Sequence, residues 1–363
     1  MRKESVMEQK PFFSIVMPVY GVEPYLRRAL DSVVGQTFRD YEVILVNDAS
    51  PDGSAGICDE YCQAYDYIRT VTHPENRGLS AARNTGLACA RGEYIWFMDS
   101  DDHVDPNLLQ TVYDSLQKNP AQLVVFGCVE EYYNRSGQLE KTVTFLPEEA
   151  YCATREQVRS RILDLEARTL YGYAWNKFYQ LPYLRQLGLQ YENIVLIEDI
   201  KFNIAFCDGI HSMNLLPFAP YHYAKRGSGS LTAKFVPNYY TVHAQRVELI
   251  FRQHQAWGMA DDRARGILAN ILTRYIFSAL SRNCDRRANM THKERKQWLR
   301  EVCRSELFAQ LIPHAHAQGL ALKVMTGILK GRHIAAALCL GRVIYLVQTH
   351  LRSLFTKIRQ ARS

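Results

Sequence analysis

The sequence predicts an α/β fold with a mostly parallel central sheet, followed by an all-helical C-terminal region. Three observations predict it. Strand-like and helix-like segments alternate four times in about 90 residues, the signature of βαβ units. An apolar run, Tyr94 to Met98, enters three crowded acids, Asp99, Asp101 and Asp102, as a buried strand does when it ends at a site. From Pro237 onwards helical periodicity takes over and the β signal disappears.

Phe12 to Val19 is a β-branched apolar run and reads as the first strand. Leu26, Ala29, Leu30, Val33 and Val34 fall at helical spacing, which predicts a helix over 23–36 with Pro24 in its first turn. Tyr41 to Val46 is the second strand, and Asn47 to Gly53 has loop composition. Helix is expected over 54–65, strand over Ile68 to Thr72, and a small-residue helix over Ser80 to Ala90. Beyond the acids, 106–117 reads as helix, Gln122 to Val129 as strand, and Glu130 to Pro147 as a hairpin turning near Ser136 and Gly137. Tyr171 to Lys177 reads as an aromatic loop, Glu198 and Asp199 precede a helix ending near Phe206, and Tyr221 to Ser230 reads as a basic, glycine-containing loop. The implied domains are a tail over 1–10, an α/β domain over 11–235 with halves 11–130 and 131–235, and a helical region over 236–363.

The chain has 363 residues, 47% hydrophobic and 22% charged, which suits an ordinary globular protein and argues against disorder. Its net charge is +7, but no Asp or Glu follows Glu306 and eight Lys or Arg do, so residues 1–306 stand near −1. The basicity therefore belongs to the tail, and no nucleic-acid partner is expected. Nine scattered cysteines without a CxxC pair suggest reduced thiols. Met1 to Lys10 is polar and no run of eighteen uncharged apolar residues exists, so a cytoplasmic chain without a spanning helix is expected.

Carboxylates as close as Asp99, Asp101 and Asp102 must be solvated, hydrogen-bonded or neutralised. A hard cation, Mn²⁺ or Mg²⁺, bridging carboxylates to substrate phosphates is one reading; a polar turn with Asp102 or Asp105 capping a helix at Pro106 is the other. A calcium loop does not fit, because its required Gly falls on Val104 and its closing Glu on Gln110. The ends of three strands, Pro18-Val19-Tyr20, Asn47-Asp48 and Asp99-Ser100-Asp101, should meet in one crevice. No Walker A or dinucleotide fingerprint is present.

These stretches occur in an ordered set: Ser14-Ile-Val-Met-Pro18-Val-Tyr20, Ser32 to Phe38, Val46-Asn47-Asp48 to Gly53, Asn76-Arg77-Gly78 to Gly86, and Phe97-Met-Asp99-Ser-Asp101-Asp102. The set closely resembles the family 2 glycosyltransferases, inverting enzymes of the GT-A fold. The likeness covers about 11–130, with weaker matches at Trp175-Asn176-Lys177 and Glu198-Asp199. It implies a nucleotide-diphosphosugar donor, with UDP as the default nucleotide, and a divalent metal on Asp99 and Asp101. By the family pattern Asp48 binds the base, Pro18, Val19, Tyr20 and Glu23 shape the nucleotide pocket, and Arg77, Gly78, Arg83 and Ser100 lie on the donor side. Arg226 and Ser228 would close over the diphosphate. Asp199 is then the general base with Glu198 beside it, and Trp175, Asn176, Lys177 and Asp102 serve the acceptor. Structural alternatives stay open for each: an Asx-turn or cap for Asp48, a surface arginine for Arg83, helix capping for Glu198 and Asp199, and a core position for Trp175.

The resemblance suggests an acceptor that is a saccharide or lipid-linked oligosaccharide in bacterial cell-surface polysaccharide synthesis. The Gln-x-x-Arg-Trp signature of processive members is absent, so one sugar per encounter is expected. Ile334 to Ile358 mixes apolar and basic residues, which suits an anionic membrane surface on the cytoplasmic face or a helix packed on protein. The alternatives are a non-catalytic sugar-nucleotide scaffold or sensor, and a sugar-nucleotide pyrophosphorylase; the latter needs a glycine- and lysine-rich first loop that Pro18 to Gly21 does not supply.

Overall fold

The computed structural model describes residues 10–350 apart from 135, 195, 227–235, 237 and 318, and it divides into two compact units, residues 1–230 and 231–363. In the first unit, strands β1 (Phe13–Val19), β2 (Tyr41–Asn47), β3 (Ile68–Thr72) and β4 (Tyr94–Phe97) alternate with helices α1 (Glu23–Val34), α2 (Ser54–Ala64) and α3 (Leu79–Cys89). The chain continues through β5 (His103–Val104), α4 (Leu108–Lys118), β6 (Leu123–Tyr133), β7 (Leu139–Phe145), β8 (Ala150–Cys152) and α5 (Arg155–Ala167). It closes with β9 (Lys177–Gln180), α6 (Leu181–Gln186), α7 (Glu198–Cys207) and β10 (Met213–Arg226).

The strands form one sheet in the order β3-β2-β1-β4-β9-β6-β10-β5, with β7 on β6 and β8 on β10. Strands β1 to β4 run parallel, β10 runs parallel to β6, and β9 is antiparallel to both β4 and β6. Every residue of β2 and β4 is buried, as continuous apolar strands covered on both faces must be. Helix α3 can lie tight on the sheet because Gly86 faces Val16: a Cβ there would come within 2.2 Å of the valine's Cγ1.

Two elements depart from the sequence reading. Tyr221 to Arg226, expected as a loop, is the second half of a 14-residue strand. Its Tyr, His and Lys side chains mask a strand in which Tyr221 and Ala224 are buried beyond a register shift that follows Leu216. Ser228 and the rest of that expected loop lie outside the described residues. Residue Lys177 opens β9, a short buried strand that the aromatic composition hid.

The second unit contains α8 (Tyr239–Ala256), α9 (Asp262–Arg282), α10 (His292–Arg304), α11 (Glu306–Leu311), α12 (Leu320–Lys330) and α13 (Ile334–His350). Helix α9 is its centre: Leu268, Leu272, Ile276, Phe277 and Leu280 are buried against neighbours that include α8, α12 and α13. Asp261 caps α9 by accepting from the Ala264 N–H, and Thr291 with Glu294 forms a capping box on α10. Among the described residues no helix is long and apolar enough to cross a membrane. The tail beyond His350 lies outside the described residues.

Candidate active site

The strand order reverses direction between β1 and β4, so the crevice opens beyond their carboxyl ends. Val16 pairs with Phe97 and Val19 with Asn47, which brings the three predicted strand ends level. Ser100 ties two of them together, its hydroxyl donating to the Pro18 carbonyl at 2.5 Å. Val19 is buried, Pro18 half-buried and Tyr20 half-exposed at the rim. Glu23 accepts from the Gly53 N–H at 2.8 Å while its own N–H donates to Asp52, a clamp between the loops after β1 and β2.

Asp48 departs from its expected role. The residue is 2% exposed, and its two oxygens accept from the backbone N–H of Arg77 (2.9 Å) and Gly78 (2.7 Å) and contact His73 Nδ1 (2.6 Å). Gly78 sits at φ +87°, a conformation that suits glycine, and leads into α3. Asp48 thus holds the loop before α3, the structural alternative left open by the sequence. Arg77 and Gly78 contribute backbone to that anchor, and both carboxylate oxygens of Asp48 are engaged in it.

The acids after β4 diverge in use. Asp99 and Asp101 keep 28% and 38% of their side chains open, whereas Asp102 is 2% exposed. Burial pushes the Asp99 carboxyl up to about 6, with Arg83 opposing and the charges of Asp101 and Asp199 adding. Burial likewise raises Asp101, against Arg226. Asp102 accepts from the Tyr221 hydroxyl and the Ala224 N–H, each at 2.8 Å, and so fastens β10 to the acidic turn.

Arg83, on α3, is 1% exposed and spans the crevice floor: Nη2 donates to Asp99 Oδ1 at 3.1 Å and Nη1 to Asp199 Oδ1 at 2.5 Å. Its guanidinium also lies 5.2 Å from the Tyr191 ring centroid. It is therefore no surface arginine. Asp199 and Glu198 open α7, and Asp199 Oδ2 accepts from the Ala174 N–H at 3.2 Å. Among the described residues Glu198 Oε2 is buried without a hydrogen-bond partner, and burial followed by the Asp199 charge pushes this carboxyl up to about 7. Neither acid makes a side-chain cap on α7, whose first residue is Glu198 itself. Arg226 reaches back from β10 to Asp101, with Nη1 3.1 Å from Oδ2 and Nη2 2.9 Å from the carbonyl, and its guanidinium stacks 3.8 Å from the Tyr25 ring centroid.

Trp175, Asn176, Lys177 and Asp102, expected on the acceptor side, are all buried. Trp175 is 2% exposed and stacks on Tyr221 at 4.4 Å and Tyr173 at 4.6 Å. Asn176 and Lys177 are fully buried; the amide donates to Phe126 and Leu170 carbonyls, and the ammonium to Leu170, Tyr173 and the Asn176 amide oxygen. The sequence reading missed His73, Tyr191 and Tyr221. Each acts across at least 25 positions on Asp48, Arg83 or Asp102, and no local spacing announces such partners.

Residues 14–174 match the family model described as "Glycosyl transferase family 2". The chain is 28% identical over 342 residues to the uncharacterized glycosyltransferase EpsJ of Bacillus subtilis, covering 93% of this chain and 95% of that protein. It is 31% identical over 245 residues to the minor teichoic acid biosynthesis protein GgaB of the same organism, but there it covers 64% of this chain and 26% of GgaB. In fold it is similar to S. aureus TarS 1–349, solved with UDP and with UDP-GlcNAc, at a TM-score of 0.58, 94% coverage of this chain and 91% of that one, and 18% and 19% identity respectively. The acids, the buried arginine and the helix-start pair thus gather at the reversal of the sheet in a chain whose residues 14–174 match family 2 of the glycosyltransferases and whose relatives include a glycosyltransferase and a teichoic acid biosynthesis protein.

Proposed function

We propose that the chain transfers one sugar, with inversion, from a nucleotide-diphosphosugar to a saccharide or lipid-linked saccharide. The observation that carries this reading is the Arg83 bridge. One buried guanidinium joins Asp99, on the donor side, to Asp199, at the start of α7, so the two acids address one reacting centre. The acceptor hydroxyl attacks the anomeric carbon, the bond from that carbon to the diphosphate breaks, and the hydroxyl proton passes to Asp199. Arg83 and the Ala174 N–H fix Asp199 for that role. Glu198 is the second candidate base, because its unpartnered Oε2 and a carboxyl lifted to about 7 suit proton uptake near neutrality.

Asp99 and Asp101 offer hard oxygen donors, partly open and raised by burial, which fits a divalent cation. Mn²⁺ or Mg²⁺ held there would stabilise the negative charge that develops on the departing diphosphate. Arg226, now on Asp101, carries a positive charge that suits the same diphosphate. A UDP-sugar donor is the first choice, given the nucleotides bound by TarS. For a lipid-linked acceptor the second unit supplies support: Leu320, Val324, Val343 and Leu346 are exposed on α12 and α13, beside Lys323, Lys330 and Arg342. This suits peripheral attachment to an anionic cytoplasmic membrane face.

Thermal unfolding of the purified chain with UDP, GDP, CMP or dTDP, each with and without Mn²⁺, tests the donor reading. Stabilisation by one nucleotide that requires metal and is lost in Asp101→Ala is expected. Failure of all four to stabilise the protein overturns it.

A further inference from the structure

Away from the Arg83 bridge, three side chains on neighbouring strands bring metal-ligating atoms together. The sheet runs β6-β10-β5, and register places His222 directly opposite His103. On the other side His222 pairs with Val129, so Glu131, two residues further along β6, lies on the same face as the two histidines. One ligand atom from each of His103, Glu131 and His222 lies within 4.8 Å of the other two. The imidazole rings stack with centroids 4.3 Å apart.

The hydrogen bonding there leaves a charge to be supplied. His222 presents Nδ1 to Glu131 at 2.9 Å and Nε2 to Asp105 at 3.2 Å. Both partners are acceptors when ionised, and a neutral imidazole has one N–H. One contact therefore requires a second proton or a metal ion. His103 Nε2 accepts from Arg28 at 2.7 Å, and the same guanidinium stands 4.0 Å from Glu131. Arg28 is 54% exposed while Glu131 is 8% exposed, so the cation can leave and the acceptors cannot.

We infer that His103, Glu131 and His222 form a zinc site, distinct from the Asp99 and Asp101 pair, at which Arg28 stands in for the metal. Two imidazole nitrogens and one carboxylate are a donor set that Zn²⁺ favours over Mg²⁺. With metal on Nδ1, the His222 Nε2–H donates to Asp105, the carboxylate–histidine–metal arrangement that fixes ring orientation. The ion would cross-link β5, β6 and β10, and so hold the turn carrying Asp101 and Asp102 to the strand carrying Arg226.

Co²⁺ serves as the probe, since nitrogen-ligated low-coordinate Co²⁺ absorbs visible light far more strongly than oxygen-ligated six-coordinate Co²⁺. The full chain, stripped with EDTA, is titrated with Co²⁺ and then with Zn²⁺. Strong bands that saturate at one equivalent, disappear on Zn²⁺ addition, survive Asp101→Ala and vanish in His222→Ala are expected. Arg28→Ala, on an exposed position, should bind at least about tenfold tighter by removing the competing cation. Absence of the bands in both wild type and Arg28→Ala overturns the inference. Bands that follow Asp101 and ignore His222 overturn it equally, as does unchanged affinity in Arg28→Ala.

Discussion

Arg83 and Lys177 are both withdrawn from water, at 1% and 0% exposure, yet they bind different kinds of group. Arg83 donates to two carboxylates, Asp99 and Asp199, whose side chains stay 28% and 16% open to the crevice. Lys177 donates to the carbonyls of Leu170 and Tyr173 and to the Asn176 amide, all inside the sheet's packing. A planar fork suits two carboxylates at once, while an ammonium gathers carbonyls around a point. On the proposed reading the difference separates machinery from architecture: the partners of Arg83 still face the crevice, whereas Lys177 is held by the packing around it.

The comparison is tested hardest at Asp199. Asp199→Asn keeps a similar volume and removes the proton acceptor, so transfer should fall about a thousandfold, or about 4 kcal/mol in barrier, with donor affinity little changed. Glu198→Gln under the same radiometric transfer assay decides between the two bases; if it alone abolishes turnover while Asp199→Asn is active, the base is Glu198. Lys177→Met comes next and should strike stability instead. It removes three buried hydrogen bonds, although Asn176 and Asn203 still donate to the Leu170 and Tyr173 carbonyls, an expected loss of about 3 kcal/mol measured by urea denaturation. Arg83→Met should do the reverse, losing most transfer while Asp99 and Asp199, being partly open, hydrate. Equal destabilisation by the two substitutions would erase the distinction.

The α/β half was legible from its first strand to Asp99, because each element there is local: a run of apolar residues, a helical spacing, a turn composition. Pro18, Asp99 and Asp101 could be nominated as strand ends in the same way, whereas Arg83 and Asp199 came only with the family resemblance. Burial was harder to read. Asp48 and Asp102 look like Asp99 in sequence, and only the folded chain shows that backbone amides and Tyr221 consume their oxygens. Trp175-Asn176-Lys177 misled for a related reason: aromatic and basic side chains can line a sugar site or, given carbonyl partners, fill a core. Strand β10 was missed altogether, and its second half was read as a loop, because its polar residues lie on a sheet whose other members are far away in sequence.

A pH experiment sharpens the contrast at Glu198. Burial raises this carboxyl from 4.5 to about 7, so the folded chain holds a proton that the unfolded chain has released between those values. Its contribution to stability is intact below about pH 4.5 and is lost as pH rises through 7, a decline of up to about 3 kcal/mol. Glu198→Gln, measured by denaturation in EDTA from pH 5 to 8, should flatten that part of the profile and be more stable than wild type at pH 8. An unchanged slope would place the proton elsewhere.

The smallest expected effect is at Trp175. Its ring is stacked between Tyr173 and Tyr221, and Trp96 Nε1–H donates to its backbone carbonyl at 2.6 Å, a bond that any residue at this position keeps. Trp175→Phe therefore removes stacking area alone and should lower stability by about 1 to 2 kcal/mol. Since the ring is 2% exposed, the acceptor KM should stay within about twofold of wild type in initial-rate measurements. A rise in KM at unchanged kcat would instead mean that the aromatic stack opens to the acceptor, and would return Trp175 to the same side of the comparison as Arg83.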